Sequence, residues 1–218
     1  MKVFPLLRPP LLKEYRKCRA TGIALNSKIT DDYITGDLTE EAGEFLGVYV
    51  GDTLVFDDEN EMSVLNDFIL HEWRDDDGRN IVSRAAEEYG CTATWMQRRV
   101  LSAMSNAFTA LVAIESTCPE EGTVRLQDIV NPGRTYLLVD IGCSMSATPE
   151  AVIFVRLFPF ERFHTTSGVM FVLPESARNA ATRRYRRVSE RYEDDASPYL
   201  WREFLHFNRK RGVDVIMQ

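Results

Sequence analysis

The chain has 218 residues, enough for one large domain or two small ones, and 44% of them are hydrophobic, which supplies a full core. Its longest uncharged apolar-rich run, near Asn106 to Ile114, is far short of the ~20 residues a membrane span requires. Met1 to Leu12 is broken by Arg8-Pro9-Pro10, so neither a membrane anchor nor a signal peptide is expected.

The formal net charge of -7 hides an asymmetry. Between Asp31 and Asp77 the chain carries acidic runs such as Asp57-Asp58-Glu59 and Asp75-Asp76-Asp77, with Arg74 the only basic residue. From Arg178 to Arg191 the sign reverses, with Arg178, Arg183, Arg184, Arg186, Arg187 and Arg191 against Glu190. Two such stretches either face each other or face different partners.

Taken in order, the opening prolines Pro5, Pro9 and Pro10 leave the first turn open, and Leu11 to Arg19 predicts a short helix. Thr39 caps a second one, over Thr39-Glu40-Glu41-Ala42-Gly43-Glu44, which the glycines at 43, 47 and 51 keep short. Met62, Leu65, Phe68, Ile69 and Trp73 recur at three- and four-residue spacings and predict a helix with that stripe as its core face, ending near Asp75. Ile81, Ala85, Ala86 and Tyr89 mark a helix that stops at Gly90. Ala93 to Asn106 forms another, with Trp95, Met96, Val100, Leu101 and Met104 apolar.

The middle third changes period. Phe108 to Glu115, Val124 to Ile129, Tyr136 to Ile141, Val152 to Phe158 and Val169 to Leu173 are rich in Val, Ile, Leu and Phe and read as strands. Pro119 to Gly122, Asn131 to Arg134, Ser146 to Pro149 and Thr165 to Gly168 are the turns between them. After Pro174, Ser176 caps a basic helix over roughly 177–192, Asp194 to Pro198 interrupts it, and Tyr199, Leu200, Phe204, Leu205 and Phe207 stripe a last helix ending at Gly212. The expected fold is α+β: a helical region, 1–106, packed on a small antiparallel barrel or curled sheet, 107–174, with C-terminal helices over 175–218, all forming one compact unit.

No motif dictates a reaction. Cys18, Cys91, Cys118 and Cys143 lie far apart without Cys-x-x-Cys spacing or a histidine pair, so they read as reduced thiols in a cytoplasm and not as a zinc site or redox pair. Asp75-Asp76-Asp77-Gly78 has the wrong register for a calcium loop and reads as a solvated helix end. His71-Glu72 lacks the second histidine of a metalloprotease, and His71, His164 and His206 fall one to each region with no local nucleophile. Gly142-Cys143-Ser144-Met145-Ser146 reads as a turn, since it lacks the Gly-x-Ser-x-Gly frame and Cys143 has no base beside it. No phosphate-cradling glycine loop occurs, and no catalytic residue, metal site or cofactor is assigned.

The run Arg183-Arg184-Tyr185-Arg186-Arg187 is the strongest candidate, with guanidiniums for phosphates and Tyr185 as a stacking platform for a base. Its simpler reading is a helix that neutralises the acidic 31–77 stretch, within the chain or across a homodimer.

Leu101-Ser102 through Glu115, Gly122-Thr123-Val124-Arg125-Leu126-Gln127-Asp128-Ile129, Tyr136 to Val139 and Val155-Arg156-Leu157-Phe158-Pro159 resemble the small β-domain of a group of uncharacterised bacterial proteins. Some of these carry a zinc-binding SEC-C tail; this chain closes on Val213 to Gln218 with no Cys-x-Cys cluster, so no zinc site carries over. The resemblance implies architecture and no activity. The leading functional expectation is a non-catalytic cytoplasmic interaction or structural protein, a homodimer or the partner of another protein, with no membrane contact. The second is an RNA- or DNA-binding module using the Arg183 to Arg187 run. The third is a metal-dependent hydrolase with carboxylates from 57–77 gathered into one pocket. All three treat the strand region as filler, an expectation that a polar cavity lined by His164, Asp128 and Asp140 would overturn.

Overall fold

The structure is a computed structural model, and it describes residues 10–75 and 77–212. Pro5, Pro9, Asp76 and the Val213 to Gln218 tail lie outside the described residues. Helices flank a five-stranded curled sheet, the α+β arrangement that the change of period implies. None of the helices is long and apolar enough to cross a membrane among the described residues.

The helical layer comprises α1 (Pro10–Tyr33), α2 (Gly36–Leu46), α3 (Glu61–His71), α4 (Ile81–Gly90) and α5 (Trp95–Ser105), with a two-stranded ribbon of β1 (Tyr49–Val50) and β2 (Thr53–Leu54) after α2. α1 is much longer than the expected Leu11 to Arg19. Its polar residues mask a sparse core stripe of Leu12, Tyr15, Cys18, Leu25 and Ile29, which packs mainly on α5. Thr35, not Thr39, caps α2, accepting from the Leu38 N–H, and Gly47 closes it at φ 75°, a left-handed conformation that glycine adopts without strain. Met62 and Trp95, expected in the core, are 42% and 65% exposed, and α3 ends at His71 instead of near Asp75. Thr94 and Gln97 form a reciprocal capping box on α5.

The sheet holds β3 (Phe108–Cys118), β4 (Thr123–Asp128), β5 (Thr135–Val139), β6 (Val152–Pro159) and β7 (His164–Leu173), in the order β3-β4-β5-β7-β6. β6 returns to pair with β3, and the curl is brought round by one bridge, Leu138 to His164 between β5 and β7. That bridge is parallel, so the sheet is not purely antiparallel as expected. Thr165 to Gly168 is no turn but part of β7, where a register shift opposite Val155 and Leu157 absorbs the glycine, and the β6–β7 connection is Phe160 to Phe163. Gly142 to Ser146 lies in a short helix, α6 (Ile141–Ser146), capped by Asp140.

Alternation along the strands builds two apolar clusters. Ala110, Val112, Val124, Leu126, Ile153, Val155 and Leu157 fill the inside of the curl. Their neighbours Leu111, Val152, Phe154 and Phe158 face outward into the helices. α7 (Arg178–Tyr192), entered through a 3-10 turn over Glu175–Ala177, and α8 (Ala196–Arg211) close that outer layer. Phe154 stacks on Phe204 at 4.2 Å and lies edge-on to Trp201. Gly212 ends α8 in an extended conformation, φ -62°, and not the left-handed one expected of a terminal glycine. The Glu14–Arg99–Glu161 pairs, joined by Arg162, tie α1 and α5 to the β6–β7 connection.

Candidate functional site

β6 is covered on both faces, so every residue from Val152 to Phe158 is buried, including Arg156. Its parity with Phe154 and Phe158 turns Arg156 outward, toward the helices. A guanidinium there must find counter-charges, because taking an unpaired ion out of water costs several kcal/mol. α3 supplies them. Arg156 Nε donates to Asp67 Oδ2 at 2.9 Å, and Nη1 lies 2.7 Å from Oε1 of Glu72, which caps α3. The guanidinium lies over the Trp201 ring, 4.8 Å from its centroid. Burial pushes the pKa of Arg156 down, but the charges of Asp67 and Glu72 outweigh that and raise it above the ordinary arginine value.

Further hydrogen bonds order the surroundings. Ser197 Oγ donates to Glu72 Oε1 at 2.9 Å, and Trp201 Nε1 donates to Thr109 Oγ1 at 3.2 Å. Asn80 caps α4 through its Oδ1 and donates from Nδ2 to the His71 carbonyl, which pins the end of α3. His71 is itself buried against Phe158, and burial, helped by the charge of Arg156, holds its imidazole neutral, well below the usual histidine range.

A cleft of about 420 Å³ opens over this cluster, with His71, Glu72, Arg156, Thr109, Tyr185 and Glu193 among its walls. Its volume falls in the range of small-molecule sites. Two polar atoms of lining residues, His71 Nε2 and Arg156 Nη2, are buried with no hydrogen-bond partner among the described residues. The connection from α7 to α8 borders the cleft, and there Glu193 takes φ 48°, ψ -119°, a conformation that favours glycine.

The residues singled out in the sequence lie elsewhere. Arg183, Arg186 and Arg187 are exposed on α7, and Arg184 is half-buried. Arg184 and Arg187 pair with Glu203 of α8, and among the described residues no ion pair joins the basic helix to the 31–77 stretch. The counter-charges there come from Arg156 for Asp67 and Glu72, and from Arg209 for Glu61 and Asp57. Tyr185 is half-buried and edge-on to Phe204, on the wall of the cleft, and burial pushes its phenol up to about 12.

Among the described carboxylates of 57–77, Asp57 and Glu61 pair with Arg209, Asp67 and Glu72 with Arg156, and Asp75 and Asp77 with Arg79, and no cluster of metal-ligating side chains occurs among the described residues. His164, Asp128 and Asp140 do not line this cleft. His164 packs on Phe108 and Tyr136, Asp128 accepts from Val130, Asn131 and Tyr136 around the β4–β5 turn, and Asp140 caps α6. His206 sits on α8 with its ring against Gly47. Cys143 is buried, and burial with the nearby Asp140 charge pushes its thiol up to about 12, so it is a poor nucleophile.

Sequence reading passed over Arg156, Asp67 and Ser197. The available signal was a lone charge inside Val152-Ile153-Phe154-Val155-Arg156-Leu157-Phe158, a run too apolar to have a wet face. Together these features define an α+β protein in which helices enclose a curled sheet and a sheet arginine is held by helix carboxylates beneath a polar cleft. The profile of a family of unknown function, DUF7986, matches residues 10–218, and the chain belongs to that family. No curated protein matches the chain, and no solved structure does.

Proposed function

We propose that this chain is a non-catalytic binding protein, with the cleft over Arg156 as its site for a small polar molecule. The observation that carries the reading is the pair of unpartnered buried nitrogens, Arg156 Nη2 and His71 Nε2, in residues lining one cleft. An unmatched buried polar group costs roughly 1–3 kcal/mol, which a ligand offering the missing partners offsets. The bonding supports binding over chemistry. Glu72 is engaged by both Arg156 and Ser197, and among the described residues no hydrogen bond joins neutral His71 to Ser197, so Ser197 has no free base behind it. Thermal shifts with a set of common metabolites test this. Wild-type protein should be stabilised by at least one of them and Ser189→Trp, which puts an indole into the cleft wall, by none; equal responses in both would refute it.

A second reading, nucleic-acid contact through α7, is favoured by Arg183 and Arg186, which are exposed and without an acidic partner among the described residues. With Tyr185 packed on Phe204, such contact would run through phosphates and carry little sequence preference. Titration of fluorescent single-stranded and duplex oligonucleotides should then show salt-sensitive binding that Arg183→Gln with Arg186→Gln weakens, and no binding at low ionic strength ends the reading. The same arginines could meet exposed carboxylates of a second copy, which sizing at low and high salt would reveal as a salt-sensitive dimer. Exposed Cys91 and half-buried Cys118 as free thiols support a reducing cytoplasm as the setting.

A further inference from the structure

We infer that the molecule taken by the Arg156 cleft is an uncharged carbonyl compound such as an amide, an inference that rests on the cleft being a binding site. Arg156 Nη2 carries only N–H groups, so its partner must be an acceptor. A bare ammonium ion cannot serve, since it has donors and no acceptor to offer Nη2.

An anion is opposed by the surroundings. Arg156 already holds Asp67 and Glu72, and the cleft wall adds Arg74 against Glu193 and Asp194, so two guanidiniums stand among four carboxylates. A carboxylate or phosphate would enter a field already negative, at an arginine already matched. A neutral carbonyl accepts from Nη2 without adding charge. His71 is neutral, so its Nε2 can accept or donate according to tautomer, and a carboxamide offers an N–H beside its C=O.

The test uses isosteric pairs that differ in charge, nicotinamide against nicotinate and benzamide against benzoate. Each is titrated into ¹⁵N-labelled wild-type protein while the Arg156 Nε–H and Trp201 indole N–H signals are followed. The amides should move both signals saturably, the acids at least tenfold more weakly, and Ser189→Trp should abolish the response. No variant of Arg156 is needed, so the result does not hinge on a substitution that endangers folding. Acids that move the signals as strongly as amides overturn the ligand class and leave the cleft reading standing. So does silence from both members of each pair when the metabolite screen detects cleft binding. Silence in both experiments overturns the class and the cleft reading together.

Discussion

Replacing Arg156 by methionine isolates what the buried ion cluster does for the fold. Methionine keeps much of the volume of the aliphatic stem, so the cavity cost is small, but Asp67 and Glu72 lose their counter-charge at 5% and 2% side-chain exposure. Removing one partner of a buried pair typically costs about 3–5 kcal/mol, and here one arginine serves two carboxylates, which puts the expectation at the upper end. An unpaired carboxylate kept out of water favours its protonated form, so the deficit should shrink as pH falls from 7 to 5. The apolar triple variant Arg156→Met, Asp67→Leu, Glu72→Leu should recover most of the loss, because the charges are removed together. Urea denaturation of the three proteins at both pH values gives the midpoints, read at constant m-value. A loss below about 1 kcal/mol for Arg156→Met, or a deficit that grows on acidification, would refute the reasoning.

Other outcomes follow from single groups. His71 is held neutral below its unfolded pKa, so as pH falls through about 6.5 the unfolded chain takes up the proton first and stability drops, by at most ~1.4 kcal/mol per pH unit for this residue. His71→Leu should flatten the stability profile between pH 6.5 and 5, with residual slope from His164 and His206, whose pKa values burial also lowers. Glu193→Gly relieves the backbone conformation at the cleft rim and should raise stability by ~1 kcal/mol, about 2–4 °C in Tm for a chain of this size. Phe154→Ala empties the stack on Phe204 and should cost about 3–5 kcal/mol in chemical denaturation. Iodoacetamide at pH 8 should label Cys91 in the folded protein and spare Cys143, as peptide mapping would show.

The strands were readable in the sequence because their apolar runs are short, β-branched and separated by proline and glycine, and four of the five expected ones cover most of their counterparts. The fifth, Val169 to Leu173, began too late, since Thr165 to Gly168 has turn composition yet is held in β7 by pairing with β6. α1 was underread for the opposite reason: with so few apolar positions in 24 residues, its helicity comes from docking on α5 more than from its own periodicity. Charge runs drew attention to Arg183 through Arg187, but the charges that organise the molecule are isolated ones. Arg156 is a single basic residue in a strand, and Asp67 and Glu72 sit five residues apart around the end of α3; only the tertiary fold sets them within hydrogen-bond distance. Tyr185 shows the same limit, because neighbours in sequence did not reveal that α8 would claim its ring.

The most direct test of the cleft as a binding site is native mass spectrometry of the protein purified gently from cells that make it, alongside Ser189→Trp prepared identically. The wild-type chain should carry a population heavier by the mass of one small uncharged molecule, released on denaturation and missing from the variant. Bare protein mass in both preparations, together with no thermal shift from any metabolite, would contradict the assignment.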